Sequence, residues 1–239
     1  MSDRVLVTGG TGTLGRVVVA RLHELGAEVK VFSRSTGGDL VSGRGLAAAM
    51  SDVDTVIHCA TTLGAKDLAA TGNLIATTTA NVHLVYISIV GVDRIPLGYY
   101  RTKLATEQLI RDSGRSFTIL RTTQFHDLLV KLFKVQKGPF LLVPKDFRFQ
   151  PIDTGTVSAR LVELARGEPR GRVADMGGPR VHTAPELAEM YLRAKGSRRP
   201  VTSIPLPGRT ARAFREGHNL TANSCEGLTF KDYLDLNLA

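Results

Sequence analysis

The chain has 239 residues, 43% hydrophobic and 22% charged, which is enough for one sizeable core and argues against wholesale disorder. No apolar run approaches the roughly 20 residues of a membrane-spanning helix and no signal pattern precedes the first strand, so a cytoplasmic protein with no membrane partner is expected. Its 31 basic and 22 acidic residues give +9, but the excess is spread along the chain; it reads first as a solvated basic surface, next as attraction for a small anionic ligand, and no nucleic-acid partner is expected.

Strand-like and helix-like segments alternate through the first half, as in a parallel sheet covered by helices. Residues 4–8 make the first predicted strand. After a glycine-rich turn, Leu14, Val17, Val18, Leu22 and Leu25 recur at helical spacing until Gly26 stops the helix. Further strands are predicted at 28–33, 55–60, 84–89 and 117–122, with a helix from Thr102 to Arg111. Thr77, Thr78 and Thr79 read as exposed helix filling, and Phe140, Leu141 and Leu142 as core or pocket wall. Beyond these, 154–166 is helical, with Val157, Leu161 and Leu164 on one face. The capping box Thr183-Ala184-Pro185-Glu186 opens a helix to about Lys195, Pro200 to Pro207 is a connector, and Thr229 caps a last helix through Leu236. The fold class is therefore α/β, a doubly wound parallel sheet. Residues 1–125 form its core and 126–239 a small substrate-side lobe packed on it, not an independent domain. Two distant cysteines, Cys59 and Cys225, and scattered histidines give neither a disulfide framework nor a metal site.

Thr8-Gly9-Gly10-Thr11-Gly12-Thr13-Leu14-Gly15 lies directly between the first strand and the first helix. In the spacing G-x-x-G-x-x-G, one glycine permits the tight turn, one lets backbone approach a pyrophosphate, and one lets helix and strand pack closely. The helix amino terminus then offers N–H groups and partial positive charge to phosphate. This motif resembles the Rossmann-type short-chain dehydrogenase/reductase superfamily, in its extended and atypical branches, including NmrA-like proteins. Gly38-Asp39-Leu40, Val56-Ile57-His58-Cys59-Ala60 and Thr118-Ile119-Leu120-Arg121-Thr122-Thr123-Gln124-Phe125 are similar to further family segments. The resemblance implies a bound nicotinamide dinucleotide contacted by Gly9, Thr11, Gly12, Thr13, Leu14, Gly15, Asp39, Leu40, Cys59, Ala60, Thr61, Lys103, Thr123 and Phe125. Only 35–38 separate the second strand from Asp39, so the edge strand usual in relatives is expected to be short or absent.

The second strand ends Phe32-Ser33-Arg34, where an NAD site usually carries Asp or Glu. Ser33 and the Arg34 guanidinium suit a 2′-phosphate instead, so NADP(H) is expected over NAD(H). Tyr99 and Lys103 sit one helical turn apart, and Ser88 closes a strand eleven residues earlier. A carbonyl receiving hydride develops negative charge on oxygen, so it needs a proton donor and a hydrogen-bond partner. Tyr99 is read as general acid, Lys103 as its tuner and ribose ligand, and Ser88 as carbonyl orienter, with Tyr100 a competing phenol. Phe125, His126 and Phe149, with Gln150, are candidates for the substrate pocket. The expected activity is NADPH-dependent reduction of a small apolar carbonyl or quinone by a monomer or homodimer. Two alternatives stay open: a non-catalytic NADP(H) sensor, and a sugar-nucleotide epimerase or dehydratase.

Overall fold

A computed structural model describes residues 4–238. In chain order the elements are β1 (Arg4–Thr8), α1 (Gly15–Glu24), β2 (Glu28–Phe32), α2 (Leu46–Ala49), β3 (Thr55–His58), α3 (Lys66–Thr77), β4 (His83–Ile89), α4 (Gly98–Asp112), β5 (Phe117–Thr122), α5 (His126–Lys134), β6 (Leu141–Pro144), β7 (Arg148–Phe149), α6 (Thr154–Arg166), β8 (Gly171–Arg172), β9 (His182–Thr183), α7 (Ala184–Ala194), β10 (Val201–Ile204), α8 (Arg209–Arg215) and α9 (Phe230–Leu238). Six strands form one parallel sheet in the order β2-β1-β3-β4-β5-β8, a Rossmann-type α/β fold.

The two-residue period of the strands divides the core between the sheet's faces. Val5, Val7, Ile57, Val85, Ile87 and Leu120 point to one side, where α1 and α6 cover them with Val18, Leu22, Val157, Leu161 and Leu164. Leu6, Val56, Leu84, Tyr86 and Ile119 point to the other, against Ala70 and Leu74 of α3 and Ile110 of α4. The sheet thus takes a covering helix and its sixth strand from beyond residue 126. A separate apolar cluster joins Leu129 and Phe133 of α5, Leu141 and Val143 of β6, Leu187 and Tyr191 of α7, and Phe230 and Leu234 of α9.

β2 is the sheet's edge, so the further strand usual in relatives is absent among the described residues. Asp39 and Arg44 close only an isolated antiparallel bridge there. Four expectations need correction. Pro200 to Pro207 is not merely a connector: Val201–Ile204 pairs in parallel with Leu141–Pro144. Thr78 is buried rather than exposed, its hydroxyl donating to Leu74 O at 2.7 Å to close the last turn of α3. Of the apolar trio at 140–142 only Leu141 is core, because alternation turns Phe140 and Leu142 outward. α4 also starts at Gly98, four residues earlier than expected, placing Tyr99 in its first turn. The capping box at Thr183 forms as expected, with Glu186 Oε2 accepting from Thr183 N at 2.7 Å. Among the described residues no helix is long and apolar enough to cross a membrane, and no group of three His, Cys, Asp or Glu is placed to hold a metal.

Candidate functional site

The carboxyl ends of β1 to β5 share the sheet edge that carries the glycine loop, where open α/β sheets of this kind place their ligands. Gly9, at φ +68°, donates to Phe32 O at 2.8 Å, and Gly12 donates to Gly9 O at 2.9 Å. A Cβ on Gly15 would stand 2.1 Å from Gly9 O, and one on Gly9 would stand 2.7 Å from Ala60 Cα. The loop is therefore closed against β3 and the start of α1 at positions only glycine can occupy. Among the described residues the backbone N–H groups of Thr11, Thr13 and Leu14 bond to no backbone carbonyl, which leaves donors at a helix amino terminus for an anion. Lys131 on α5 reaches the same loop, its Nζ 3.2 Å from Thr13 Oγ1.

At the end of β2, hydroxyls gather. Ser33 Oγ lies 2.8 Å from Ser35 Oγ, which donates to Thr11 Oγ1 at 3.2 Å, and the Arg34 side chain is exposed beside them. Asp39 turns inward on its own turn, accepting from Val41 N and Ser42 Oγ at 3.0 Å each. Those bonds hold its carboxyl below the usual range. Leu40 is core, its carbonyl accepting from Asn73 Nδ2 at 2.9 Å.

Ser88, Tyr99 and Lys103 stand around the end of β4 without bonding one another. Lys103 is buried; its Nζ donates to Ile87 O at 3.0 Å and lies 4.6 Å from the Tyr86 ring centre. Ser88 is 1% exposed and its Oγ has no partner among the described residues, which is unusual for a buried hydroxyl. The Tyr99 hydroxyl lies 3.1 Å from Thr61 Oγ1, and Thr61 donates to Asp67 Oδ2 at 2.6 Å. Asp67, in the first turn of α3, also accepts from Thr62 N and Thr62 Oγ1. Tyr100 is buried instead, and burial pushes its phenol up to about 12.

The sequence named Thr61 but neither Asp67 nor His58 as site residues. His58 links Thr8 Oγ1, at 2.6 Å, to Thr71 Oγ1, at 3.0 Å, and stacks on Tyr86. Burial first and the Lys103 charge second push its pKa down to about 3. Cys59 is partly buried, and desolvation pushes its thiol up to about 12.

The side facing the predicted substrate is built from the ends of β5 and β7. Thr123 closes the backbone there, donating to Gln150 O at 2.5 Å and accepting from Gly178 N at 3.2 Å. Gln150 is engaged too, with Gly178 O at 2.9 Å and Thr221 N at 3.0 Å. His126 is fully buried, its Nε2 3.0 Å from Leu228 O and its ring 5.0 Å from that of Tyr233. That imidazole is packed behind the site, whereas Phe125 and Phe149 stay partly exposed. Gln124, missing from the sequence-derived set, is buried beside the Tyr100 phenol, and its hydrogen bond to that phenol partly offsets the upward push of burial.

The model of the NAD dependent epimerase/dehydratase family matches residues 5–87. The photosystem II assembly factor Ycf39 of Synechocystis is 26% identical, over 97% of this chain and 80% of that protein. A nucleoside-diphosphate-sugar epimerase from Staphylococcus aureus superposes with a TM-score of 0.80 at 16% identity, over 98% of this chain and all 100% of that one. The NADPH-dependent quinone oxidoreductase QOR2 of Escherichia coli, solved with NADPH, gives 0.77 at 15% identity over 97% and 99%. The amino-terminal part of the chain thus resembles the NAD dependent epimerase/dehydratase family, and the fold is that of these Rossmann-type structures, in line with the motifs. The NmrA-like branch is consistent with these matches and is not singled out by them.

Proposed function

We propose that this chain, with its extended short-chain dehydrogenase/reductase fold, is an NADPH-dependent reductase of a small apolar carbonyl or quinone. One observation carries the reading: a buried Ser88 hydroxyl at the end of β4 with no partner among the described residues, next in the strand to the Ile87 carbonyl that holds Lys103 Nζ. A buried hydroxyl without a partner costs about 1–3 kcal/mol, a cost that a bound carbonyl oxygen would relieve.

The residues present fit a dinucleotide. The N–H groups of Thr11, Thr13 and Leu14 face where pyrophosphate would lie, with Lys131 as a second charge at that loop. Ser33, Arg34, Ser35 and Thr11 would hold a 2′-phosphate, and no carboxylate at the end of β2 repels it. Asp39 contributes through its turn rather than through its carboxylate. Bound NADPH would supply the hydride. Ser88 orients the substrate oxygen and Tyr99 Oη delivers the proton to it. Thr61 Oγ1 already donates to Asp67 and accepts from Leu63 N, so it takes the Tyr99 proton as acceptor and holds that phenol in place before substrate arrives. Lys103, fixed by Ile87 O, brings positive charge to the ribose side. Phe125 and Phe149 offer apolar walls. In this reading residues 1–125 bind the dinucleotide, while 126–239 close the substrate side and also lend α6 and β8 to the core sheet.

A second reading, non-catalytic NADP(H) sensing, is favoured by the full-length likeness to an assembly factor. The two separate in one assay: NADPH consumption against quinones and ketones by wild type, Tyr99→Phe and Lys103→Met. Turnover that collapses in both variants, with NADPH still bound by Tyr99→Phe, supports the reductase. Turnover indifferent to both removes this catalytic assignment, and tight NADPH binding without turnover on any acceptor leaves the sensor.

A further inference from the structure

One face of the carboxy-terminal part is left uncovered. α5 turns Leu129 and Phe133 inward and presents Leu128, Leu132 and Val135 outward; with Phe140 and Leu142 these five side chains are between 45 and 72% exposed. They share one surface. Gln136 bonds Leu142 N at 2.9 Å and Leu142 O at 3.1 Å and donates to Leu132 O at 3.3 Å. Arg199 ties Gln136 O and Phe140 O at 2.9 and 2.6 Å. Exposed cations surround it: Lys131, Lys134 and Lys137 within the stretch, and Arg198 beside Arg199. From 128 to 144 there is no acidic residue, and no ion pair among the described residues engages these four cations.

We propose that this face docks on an anionic lipid surface, lying on the bilayer and not crossing it. Leu128 and Leu132 on one side of a short helix, with Val135, Phe140 and Leu142 beside them and lysines flanking, suit burial at the headgroup boundary. Charge complementarity names the occupant: unpaired cations of one sign, on a chain of net charge +9, meet an anionic leaflet. A protein partner fits less well, because protein interfaces are depleted in lysine, and this surface carries three lysines and no tyrosine or tryptophan anchor. Lys131, which reaches Thr13, sets the docking face beside the glycine loop. The inference stands apart from the proposed reaction and needs no turnover.

Sedimentation with phosphatidylcholine vesicles, with and without phosphatidylserine, tests it. Wild type is expected to bind the anionic vesicles, less tightly as salt rises, and to leave the neutral ones in solution. Each cation removed weakens binding about fivefold, so Lys134→Gln/Lys137→Gln/Arg198→Gln loses on the order of 100-fold. Leu132→Gln/Val135→Gln loses binding as well, and both variants, altered only at exposed positions, keep the wild-type unfolding midpoint. Absence of binding to anionic vesicles, or binding that neither variant weakens, overturns the proposal. So does a wild-type dimer that Leu132→Gln/Val135→Gln turns into a monomer without any vesicle binding, which would give the face to a second copy of the chain.

Discussion

Replacing Glu107 by Gln tests what clamps α4, the helix of Tyr99 and Lys103, to the sheet. Glu107 is fully buried and accepts from Arg121 Nε and Nη2 on β5 at 2.8 and 2.7 Å. Burial disfavours the Arg121 charge, yet the bonds to Glu107 and Asp93 outweigh it and raise the guanidinium above its usual range. Removing one partner of a buried ion pair costs about 3–5 kcal/mol, mostly for the charge left behind. Two features place this case at the low end. Asp93, half exposed, stays 3.0 Å from Arg121 Nη1 and keeps a counter-charge, while Arg111, the other partner of Glu107, lies near the surface and returns to water. The expected loss is about 3 kcal/mol, read as a lower urea midpoint with unchanged slope. If the proposed reaction is present, kcat should fall in the folded variant by more than NADPH affinity does, because Glu107 holds the helix of Tyr99 and Lys103 and not the phosphate loop. A stability loss under about 1 kcal/mol would refute the reasoning that this pair fixes α4 on β5.

Gly15→Ala and Gly12→Ala should behave differently. The first drives a Cβ to 2.1 Å from Gly9 O and should unfold the loop; the second meets Gly9 O only at 3.2 Å and should keep the fold while weakening dinucleotide binding, as thermal unfolding and titration would show. Arg34→Ala should weaken NADPH by about tenfold or more and leave NADH unchanged, and equal losses for both would remove Arg34 from the 2′-phosphate site. His58, its pKa pushed down to about 3 by burial, should remain neutral at about pH 5 in imidazole nitrogen spectra. The unfolded chain takes up that proton below about pH 6.5 and the folded one refuses it. Stability from this residue is therefore complete above that pH and falls by about 1.4 kcal/mol per unit below it; an ordinary midpoint near 6.5 would contradict the buried network.

The parallel sheet was legible because its signals are local. Val5, Leu6 and Val7 read as strand whichever face each serves, and the glycine loop lies between one strand and one helix. What stayed illegible depends on distant partners. β10 is hidden between Pro200 and Pro207 and exists only because Leu141–Pro144 lies alongside it. The start of α4 was misplaced because Leu97 supplies no side-chain cap to mark it. α5 carries a stripe in Leu129 and Phe133, but it follows β5 closely and Phe125 supplies no side-chain cap to mark its start. Ser88, Tyr99 and Lys103 are proposed from their spacing, whereas the Thr61–Asp67 support for Tyr99 arises only when the loop after β3 folds onto α3. His126 shows the converse: its place after a strand suggested a pocket, and the closing segment around Leu228 buried it.

The most direct test is a single turnover. Protein loaded with NADPH is mixed rapidly with excess quinone, and the near-ultraviolet absorbance of reduced nicotinamide is followed for NADPH and for NADPH deuterated at the transferring carbon. The account predicts oxidation far faster than in free solution, slowed by deuterium and lost in Tyr99→Phe. NADPH that binds yet is oxidised no faster than in solution, across quinones and ketones alike, would contradict it.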